Sequence, residues 1–528
     1  MMATAMAKGR AMGEKKKFAL NFAAQMAVLG SQFVISFVLT PIVLAKLGDE
    51  AYGFVGLVNN FVSYVSIVTG ALNSMASRFI TVSYHGGRRG DTEEYYSSVF
   101  FANCIMASVV LAGSVALAMN IENLVSVAPE LLSDLRLTVF IAFLNAAIGL
   151  VTVAFGVAAF IKNELFLNSV GQLAGSVLRV VLLFTLFWVA SPHMWYFSVA
   201  AVSATVLTGF AQAMVTRRLL PDMRLAPSNF RPRKVAELVR VGVWTSLQQV
   251  NSLLQIGLDL LIANLFVGGA AMGLLSVAKT VPQALTSLAG NIANLFYPKM
   301  AEAYAKGDEA DLVRRLSFAM RFTAGLMIVP LAGFIGFGSS FYELWLPGRN
   351  AADLAEIELL SMLTVVALLA SALVEPLYYA NTLTTKVKGS VLVTLGFSVA
   401  AVAVELVLLA VSDLDKLAII AGTSSVLITV RHVIVQPFYC AKVLGVSARP
   451  FFRSIAKESA VLAFLWIGYS FVDSTVSLAS WESLILCAVV AGIVGYAFVY
   501  VALFSKVERG QLGGVLMAKL VRGGHRGH

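Results

Sequence analysis

Long hydrophobic runs separated by short polar segments make up almost the whole chain. A helix needs roughly 20 apolar residues to cross a bilayer, and fourteen runs satisfy this requirement. The short alternating segments typical of transmembrane barrels do not occur. The pattern therefore predicts an all-α integral membrane protein. Its fourteen transmembrane helices are predicted at residues 18–45, 51–84, 97–119, 135–160, 165–189, 194–216, 238–265, 270–298, 317–340, 358–382, 389–411, 417–440, 455–472 and 481–504.

The pattern of polar and apolar positions recurs after 220 residues, without gaps. Eight residues between positions 48 and 97 are identical to the residue 220 positions later, namely Gly48, Ala51, Gly53, Gly70, Tyr84, Gly87, Asp91 and Ser97. Each repeat holds six predicted helices, an even number, so both have the same orientation in the membrane. They are then related by an axis along the membrane normal. Two such repeats predict a transporter with its site between them.

The repeat and the polar segments divide the chain into six parts. The longest polar stretch, Arg217 to Arg240, contains three prolines and is predicted to link two bundles on the cytoplasmic side. The predicted parts are a cytoplasmic N-terminal tail (1–17), a six-helix bundle (18–219), the linker (220–237), a second six-helix bundle (238–441), helices thirteen and fourteen (442–504) and a cytoplasmic C-terminal tail (505–528).

Composition and charge place the chain in a membrane and give its orientation. Of its 528 residues 59% are hydrophobic and 13% charged, against about 25% charged in soluble domains. Of the 39 lysine and arginine residues, 30 lie in tails and loops on the N-terminal side and 3 on the opposite side. Both termini are therefore predicted to be cytoplasmic. The net charge of +10 indicates contact with membrane lipids and not with nucleic acid, since no basic stripe with interleaved aromatic residues is present.

The sequence motifs do not indicate an enzyme. The chain contains no ATP-binding loop and no catalytic triad, and its three cysteines have no metal-ligand spacing. No cofactor is therefore predicted. Energy for transport must come from an ion gradient, the membrane potential or the substrate gradient.

Five basic residues inside the predicted helices are candidates for substrate binding. Arg179, Lys279 and Arg431 lie deep in their spans, whereas Arg78 and Arg321 lie nearer the cytoplasmic face. An ionisable group in a span costs about 2.5–3.5 kcal/mol on insertion, so it usually faces a cavity or a partner. One interpretation is a cationic cavity that binds a diphosphate. The other is that these side chains pair with buried acids or extend to the membrane interface.

Three acidic residues also lie deep in predicted spans and are opposite in charge to these cations, namely Asp259, Glu375 and Glu405. Intramembrane carboxylates serve as ion-coupling sites in transporters, which makes Asp259 and Glu375 candidates for that role. Asp259 is equally consistent with orienting the seventh helix or pairing with a lysine. Both interpretations stay open from the sequence.

The stretches Ser36 to Val58, Leu258 to Pro282 and Pro298 to Leu316 carry a resemblance to a known family. They resemble the repeat-unit flippases of polysaccharide synthesis (O-antigen type), which belong to the multidrug/oligosaccharidyl-lipid/polysaccharide (MOP) exporter superfamily. SFVLTPIVLAKLGDEAYGFVGLV (Ser36 to Val58) resembles their first helical hairpin. LDLLIANLFVGGAAMGLLSVAKTVP (Leu258 to Pro282) resembles their seventh and eighth helices, and PKMAEAYAKGDEADLVRRL (Pro298 to Leu316) the amphipathic loop that follows. The organisation is similar over nearly the whole chain.

This resemblance implies two six-helix bundles in a V around a cationic cavity, plus two C-terminal helices, with alternating access. The implied substrate is an oligosaccharide on an undecaprenyl diphosphate carrier, flipped from the inner to the outer leaflet of the bacterial inner membrane. The product would be O-antigen, capsule or exopolysaccharide. A polysaccharide polymerase or synthase complex is a further candidate partner. Fourteen helices favour a lipid-linked substrate, since drug antiporters of the superfamily usually have twelve.

Three other functions are compatible with parts of the pattern. A cation-coupled multidrug antiporter would be expected to have an anionic or apolar cavity. A lipid II flippase would be distinguished by being essential for growth. A membrane-embedded glycan polymerase or ligase would need a large outer loop, and the predicted outer loops are short.

Overall fold

The computed structural model of the protein describes residues 14–293, 296–384 and 386–510. Over these residues all regular secondary structure is helical. Thirteen helical segments of the described part are long and apolar enough to cross a membrane. The remaining predicted span, 270–298, corresponds to a more polar helix that includes Lys279, Gly269–Ala293. The prediction of an all-α membrane fold is confirmed.

The described residues up to Thr280, together with Leu406–Ile420, form a first compact unit. Its helices are α1 (Glu14–Leu47), α2 (Asp49–His85), α3 (Arg89–Met119), α4 (Pro129–Thr152), α5 (Val157–Ile161), α6 (Phe166–Val189), α7 (Trp195–Leu219), α8 (Pro232–Ser252) and α9 (Asp259–Phe266). A 3-10 turn, Val153–Gly156, joins α4 to α5, and a π-helix, Leu253–Gly257, joins α8 to α9. The helix α10 (Gly269–Ala293) begins in this unit.

The second compact unit consists of Val281–Glu405 and the described residues from Ala421 onward. After the end of α10 it contains α11 (Tyr297–Ala305), α12 (Glu309–Gly336), α13 (Gly338–Trp345), α14 (Ala351–Val374), α15 (Tyr379–Leu383), most of α16 (Val387–Val411), the end of α17 (Lys416–Val430), α18 (Gln436–Leu444), α19 (Arg449–Thr475) and α20 (Trp481–Leu503). A 3-10 turn, Glu375–Tyr378, joins α14 to α15, and a π-helix, Arg431–Val435, joins α17 to α18.

Half of the helices that correspond to predicted spans begin one or two turns before the span, because hydropathy locates only the apolar part of a helix. The helix α3, for example, begins at Arg89, and its first two turns carry the carboxylates of Asp91, Glu93 and Glu94. Residues 1–13 of the predicted N-terminal tail and 511–528 of the C-terminal tail lie outside the described residues. Residues 14–17, predicted as tail, belong to α1.

The helix boundaries reproduce the repeat seen in the sequence. The helices α2 and α10 begin 220 residues apart, and so do α3 and α12. Two pairs of equivalent glycines have positive φ, with values of 80° and 130° at Gly48 and Gly268, and 72° and 70° at Gly87 and Gly307. Glycine adopts this backbone conformation at little steric cost, which explains why the residue is the same in both repeats.

Two further equivalent glycines, Gly53 on α2 and Gly273 on α10, lie against each other. A Cβ atom at Gly53 would lie 2.8 Å from the backbone nitrogen and 2.9 Å from the Cα atom of Gly273. A Cβ atom at Gly273 would overlap the carbonyl oxygen of Asp49. The two helices therefore cross backbone to backbone near their first turns, which only glycine at both positions permits.

The predicted linker is bound to the first turns of α3. Lys234 donates to Asp91 at 2.9 Å and Arg231 to Glu94 at 3.2 Å, while Tyr95 donates to Glu237 at 2.7 Å. The linker is also shorter than predicted, because α8 already begins at Pro232. Part of its positive charge is thus neutralised within the protein.

The first compact unit extends beyond the linker because α8 packs along α2. A Cβ atom at Gly242 on α8 would overlap the carbonyl oxygen of Ala71 on α2. This close approach places the π-helix Leu253–Gly257 beside α2. It thereby positions the polar groups around Gly257 and Asp259.

Candidate substrate and ion-coupling site

Two buried charged residues of the first unit, Lys279 and Asp259, form an ion pair. Lys279 on α10 donates from its ammonium group to a carboxylate oxygen of Asp259, the first residue of α9. The two side chains are 5% and 6% exposed. Asp259, which the sequence also makes a candidate for ion coupling, is paired with a lysine in the structure. Lys279 is therefore charge-compensated in this state, and an incoming anion must compete with Asp259 for it.

The π-helix before Asp259 frees a backbone carbonyl inside the membrane. Tyr64 donates its hydroxyl to the carbonyl oxygen of Gly257 at 2.7 Å, and the Asn60 amide donates to the same oxygen at 3.2 Å. Both side chains come from one face of α2, since residues four apart on a helix are neighbours. A single π-turn inside a longer helix is frequent at functional sites. Here it places Asp259 two residues after the carbonyl group that Tyr64 and Asn60 bind.

Tyr52 extends this polar cluster along α2. Its hydroxyl group hydrogen-bonds Thr40 at 3.0 Å and Thr280, the neighbour of Lys279, at 3.2 Å. The helices α1, α2 and α10 are therefore connected through one phenol. These bonds satisfy polar groups that would be costly to leave unpaired in a membrane.

Arg179 differs from Lys279 in its surroundings. It is half-buried on α6, and its Nε atom is buried without a hydrogen-bond partner. Over the part of the chain that the structure describes, it forms no ion pair. Its helix packs tightly on α7, because a Cβ atom at Gly175 would lie 2.7 Å from Thr208 Oγ1. Arg179 is thus held in place by packing and not by a carboxylate.

In the second unit, Arg431 and Glu375 belong to one cluster. Arg431 begins the π-helix and donates to the neighbouring His432 at 2.7 Å. His432 in turn contacts the Tyr378 hydroxyl at 3.1 Å. Glu375 begins the 3-10 turn that ends at Tyr378, and it accepts from Ser371 at 3.3 Å. Arg431 acts electrostatically on Glu375 without an ion pair inside 4.0 Å among the described residues.

The two cations that are predicted to lie nearer the cytoplasmic face differ from each other. Arg321 on α12 donates to Glu508, which follows α20, and it also acts on the fully buried Glu458 of α19. Arg78 on α2 is exposed and, among the described residues, makes no ion pair. The structure thus pairs Lys279 with Asp259 in the first unit, and Arg321 with a residue of the predicted tail in the second unit.

Sequence reasoning did not identify several polar residues of these clusters. Tyr64 and Asn60 lie in an apolar stretch of α2, and only the helical spacing of four residues relates them. Glu458 lies near the start of the thirteenth span, where it is fully buried and accepts from Ser454 at 2.7 Å. In the described ranges, no group of three His, Cys, Asp or Glu side chains is arranged to hold a metal ion.

The sequence profile of a family described as "Polysaccharide biosynthesis protein" matches residues 16–304, more than half of the chain. The chain belongs to this family. The chain is also 29% identical over 496 residues to the uncharacterized membrane protein EpsK of Bacillus subtilis, and the alignment covers 93% of this chain and 97% of that protein. The predicted resemblance to polysaccharide flippases of the MOP superfamily is confirmed.

The fold is shared with solved transporters. The lipid II flippase MurJ, in an inward closed conformation, superposes with a TM-score of 0.65 at 12% identity, covering 91% of this chain and 99% of MurJ. An outward-facing multidrug resistance MATE family transporter of the MOP superfamily gives a TM-score of 0.57 at 14% identity, over 81% of this chain and 96% of that protein. These likenesses show that the chain has the MOP-type fold. The chain is therefore a multi-pass membrane protein of this type.

Proposed function

We propose that the protein flips undecaprenyl-diphosphate-linked oligosaccharide repeat units from the inner to the outer leaflet of the bacterial inner membrane. Membership of a polysaccharide biosynthesis family and the MOP-type fold support this proposal. Both termini lie in the cytoplasm, in keeping with the strong excess of basic residues on that side. The protein acts as a transporter and not as an enzyme.

The environment of Arg179 is the main support for this proposal. It is a cation within a transmembrane helix that has no carboxylate partner in the described part of the chain. An uncompensated charge at this depth is costly unless an anion binds to it. A diphosphate supplies such an anion, and the planar guanidinium group can donate two hydrogen bonds to it.

The other candidate residues also take part in transport, but they have different partners in the structure before substrate binds. Arg431 also binds phosphate, and Lys279 does so after leaving Asp259. Arg78 and Arg321 assist nearer the cytoplasmic face, where Arg321 must first leave Glu508. The predicted bundles 18–219 and 238–441 rock about a cationic cavity to give alternating access. Asp259 and Glu375 are the carboxylates through which this movement is coupled to an ion.

A lipid II flippase is the second candidate, favoured by a match that covers 99% of MurJ. The two functions predict different accumulated lipids. Both substrates carry a diphosphate, so the cationic residues alone do not distinguish them.

Mass spectrometry of carrier-linked lipids after depletion of the gene tests the proposal. Accumulation of one undecaprenyl-diphosphate oligosaccharide, with loss of the matching surface polymer, supports it. Accumulation of lipid II with arrested growth favours the second candidate. An unchanged lipid pool combined with new drug sensitivity indicates a multidrug antiporter.

Complementation links the lipid phenotype to the site. Wild-type protein is expected to clear the accumulated lipid, whereas Arg179→Ala does not. Arg136→Ala is the matched control, because Arg136 also lies within a predicted span but is exposed and paired with Glu122 at 2.7 Å.

A further inference from the structure

Two neighbouring helices of the first unit, α2 and α8, are rich in neutral polar side chains for transmembrane segments. The segment that contains α8, Pro232–Phe266, is the least apolar of the thirteen candidate spans in the described part of the chain. Residues 241–258 of this segment and residues 51–77 of α2 contain no charged side chain. The polarity of both helices is therefore due to groups without charge, mainly amides and hydroxyls.

Part of this polarity serves helix packing. Asn60 and Tyr64 on α2 bind the carbonyl oxygen of Gly257. Asn73 on α2 exchanges two amide hydrogen bonds with Asn103 on α3, at 3.2 and 2.9 Å. Hydrogen bonds of this kind commonly hold transmembrane helices together. They account for the polar residues that face a neighbouring helix and leave a second set to be explained.

The second set is exposed. It includes Asn59 and Ser63 on α2, and Gln248 and Ser252 on α8. An amide in contact with lipid hydrocarbon would lose its hydrogen bonds to water, which is costly. We therefore expect these side chains to face water or a polar ligand and not lipid.

The helices α2 and α8 are antiparallel neighbours. Gly242, near the start of α8, lies against the carbonyl oxygen of Ala71. Gly257, just after the end of α8, lies against Tyr64, which comes earlier in α2. The contact thus moves forward along one helix as it moves backward along the other.

This geometry places the exposed polar side chains of both helices on the same side of the pair. Ser63 directly precedes Tyr64, which contacts α8. Gln248 directly precedes Gln249, whose Cγ atom would lie 3.7 Å from a Cβ atom at Gly70 of α2. One residue turns an α-helix by about 100°. In an antiparallel pair, one step back along either chain turns toward the same side, so the two exposed sets form one surface.

Asn251 is an independent indication that this surface binds a polar ligand. It is 3% exposed, and among the described residues neither its side-chain nitrogen nor its side-chain oxygen has a hydrogen-bond partner. It lies three residues after Gln248 and four before Gln255, so three amides follow one another along one side of α8. Buried amides are normally hydrogen-bonded, and an exception needs an explanation. A hydroxyl group placed against this row could donate to the Asn251 oxygen or accept from its nitrogen.

The exposed set and Asn251 together are called the neutral polar face, which consists of Asn59, Ser63, Gln248, Asn251 and Ser252.

The chemistry of the neutral polar face matches a sugar without charge. A sugar hydroxyl both donates and accepts hydrogen bonds, as an amide group does. Ser63 and Ser252 donate to backbone carbonyl oxygens of their own helices, at 2.9 and 3.2 Å, so their oxygen atoms can still accept. The carboxylate of an acidic sugar would find no cation on this face and would be desolvated without compensation.

We propose that the neutral polar face binds the glycan part of the substrate and selects sugars without charge. This inference rests on the proposed function and adds to it the class of sugar that is carried. The diphosphate and the glycan are then recognised by different residues, the first by cations such as Arg179 and the second by amides and hydroxyls. A site that hydrogen-bonds the hydroxyl groups of a ligand discriminates strongly against ligands that leave its polar groups unpaired.

Affinities of three carriers for the purified protein in nanodiscs test the inference. The probes are undecaprenyl diphosphate alone, the same carrier bearing glucose, and the carrier bearing glucuronic acid. We expect wild type to bind the glucose carrier more tightly than the bare carrier, and the glucuronic acid carrier less tightly than the glucose carrier. Each hydrogen bond from a neutral group is worth about two- to tenfold in affinity.

Variants of α8 assign the preference to the neutral polar face. Gln248→Ala and Asn251→Ala should each bind the glucose carrier about two- to tenfold more weakly and the bare carrier as wild type does. Asn251→Ala also removes an unpaired buried amide, so its unfolding midpoint should not fall. Gln248→Lys should shift the ratio of affinities toward the glucuronic acid carrier by about tenfold, because it places a cation on the face.

A matched pair of serines provides the control. Ser63 and Ser108 are both exposed on transmembrane helices, and both donate to the carbonyl oxygen four residues earlier, at 2.9 and 3.0 Å. Ser108 belongs to α3 and lies outside the neutral polar face. Ser63→Ala should weaken binding of the glucose carrier, whereas Ser108→Ala should not.

The outcomes separate this inference from the proposed function. Failure of wild type to bind any of the three carriers would overturn the flippase proposal and this inference with it. Binding of the bare carrier with no gain from glucose would overturn the inference alone. Equal affinity for the glucose and glucuronic acid carriers, or equal losses in Ser63→Ala and Ser108→Ala, would overturn it as well. A lower unfolding midpoint of Asn251→Ala with unchanged sugar preference would assign Asn251 to packing and remove it from the site.

Discussion

Lys279 and Asp259 form a buried ion pair that joins the consecutive helices α9 and α10. The pair explains how a lysine deep in a membrane helix is tolerated before substrate binds. Its members are 20 residues apart across a short helical hairpin. The hairpin is therefore fastened at the point where the π-helix ends, and any anion that takes Lys279 must release Asp259.

Removal of one member of this pair should be more damaging than removal of both. Lys279→Ala leaves a buried carboxylate uncompensated, which typically costs about 3–5 kcal/mol. The double variant Asp259→Asn, Lys279→Gln keeps hydrogen-bonding groups without charge, so it should recover much of that loss. Thermal unfolding in detergent measures the difference. Equal midpoints for the single and double variants would show that the pair contributes no coupling energy.

Arg179→Ala should reduce export without lowering the amount of folded protein. A lost charge-assisted hydrogen bond costs about 1.5–3 kcal/mol, which corresponds to roughly a tenfold or greater loss of substrate affinity. Export of surface glycan and the protein level in membranes are measured together. Arg179→Lys, which keeps the charge but not the fork of donors, should lie between Arg179→Ala and wild type. Normal export by Arg179→Ala would exclude Arg179 from the substrate site.

Alanine at Gly53 or Gly273 should destabilise the protein, because either Cβ atom meets backbone of the other repeat. Overpacking of this kind costs about 1–3 kcal/mol. Gly113→Ala is the control. It lies in α3 with nothing within 4 Å of its added Cβ atom, so it should be neutral or slightly stabilising. Unfolding midpoints of the three variants give the comparison, and similar values for all three would contradict the close crossing.

The contact of Glu508 with Arg321 should disappear on acidification. Burial opposes ionisation of Glu508, but hydrogen bonds from the Ser505 backbone N–H and from Arg321 outweigh it and hold the pKa of the carboxyl below its ordinary value. The stabilisation is therefore complete above the ordinary pKa of Glu, about 4.3, and is lost as the pH falls through the lower value of the folded state.

Backbone amide hydrogen exchange in residues 504–510 monitors the contact between Glu508 and Arg321. Protection should persist from neutral pH to about pH 4.3 and fall below it, whereas Glu508→Gln should lack that transition. Exchange rates of this segment that are unaffected by Glu508→Gln would indicate that Arg321 does not hold it. The same variant leaves Arg321 without its carboxylate, so it should strengthen rather than weaken phosphate binding if Arg321 assists transport.

The fold could be predicted from the sequence because each helix that crosses a membrane must contain a long run of apolar residues. Runs of apolar residues located the fourteen spans, and the repeat of 220 residues located equivalent turns such as Gly87 and Gly307. Helix ends were less accurate, since the polar first turns of α3 have no hydropathic signal.

The site could be predicted only in part. Depth in the membrane correctly singled out Asp259 and Lys279 as unusual, and their separation across one hairpin is compatible with pairing. The partner of Arg321 could not be foreseen, because Glu508 is 187 residues away in a segment predicted as tail. The π-helices also have no recognisable sequence pattern. They depend on tertiary contacts, such as those that Tyr64 and Asn60 make with Gly257.

The meeting of Gly53 with Gly273 has a consequence for the origin of the chain. In a dimer of identical subunits, a residue near the two-fold axis contacts its own copy. These glycines occupy the same position in the two repeats, so two separate half-length chains could have made this contact before their genes were joined. If the repeats arose by duplication and fusion of one gene, the crossing corresponds to a homodimer interface of the half-length chains. Mutations at the two positions should consequently be correlated through evolution, since each residue constrains its own duplicate.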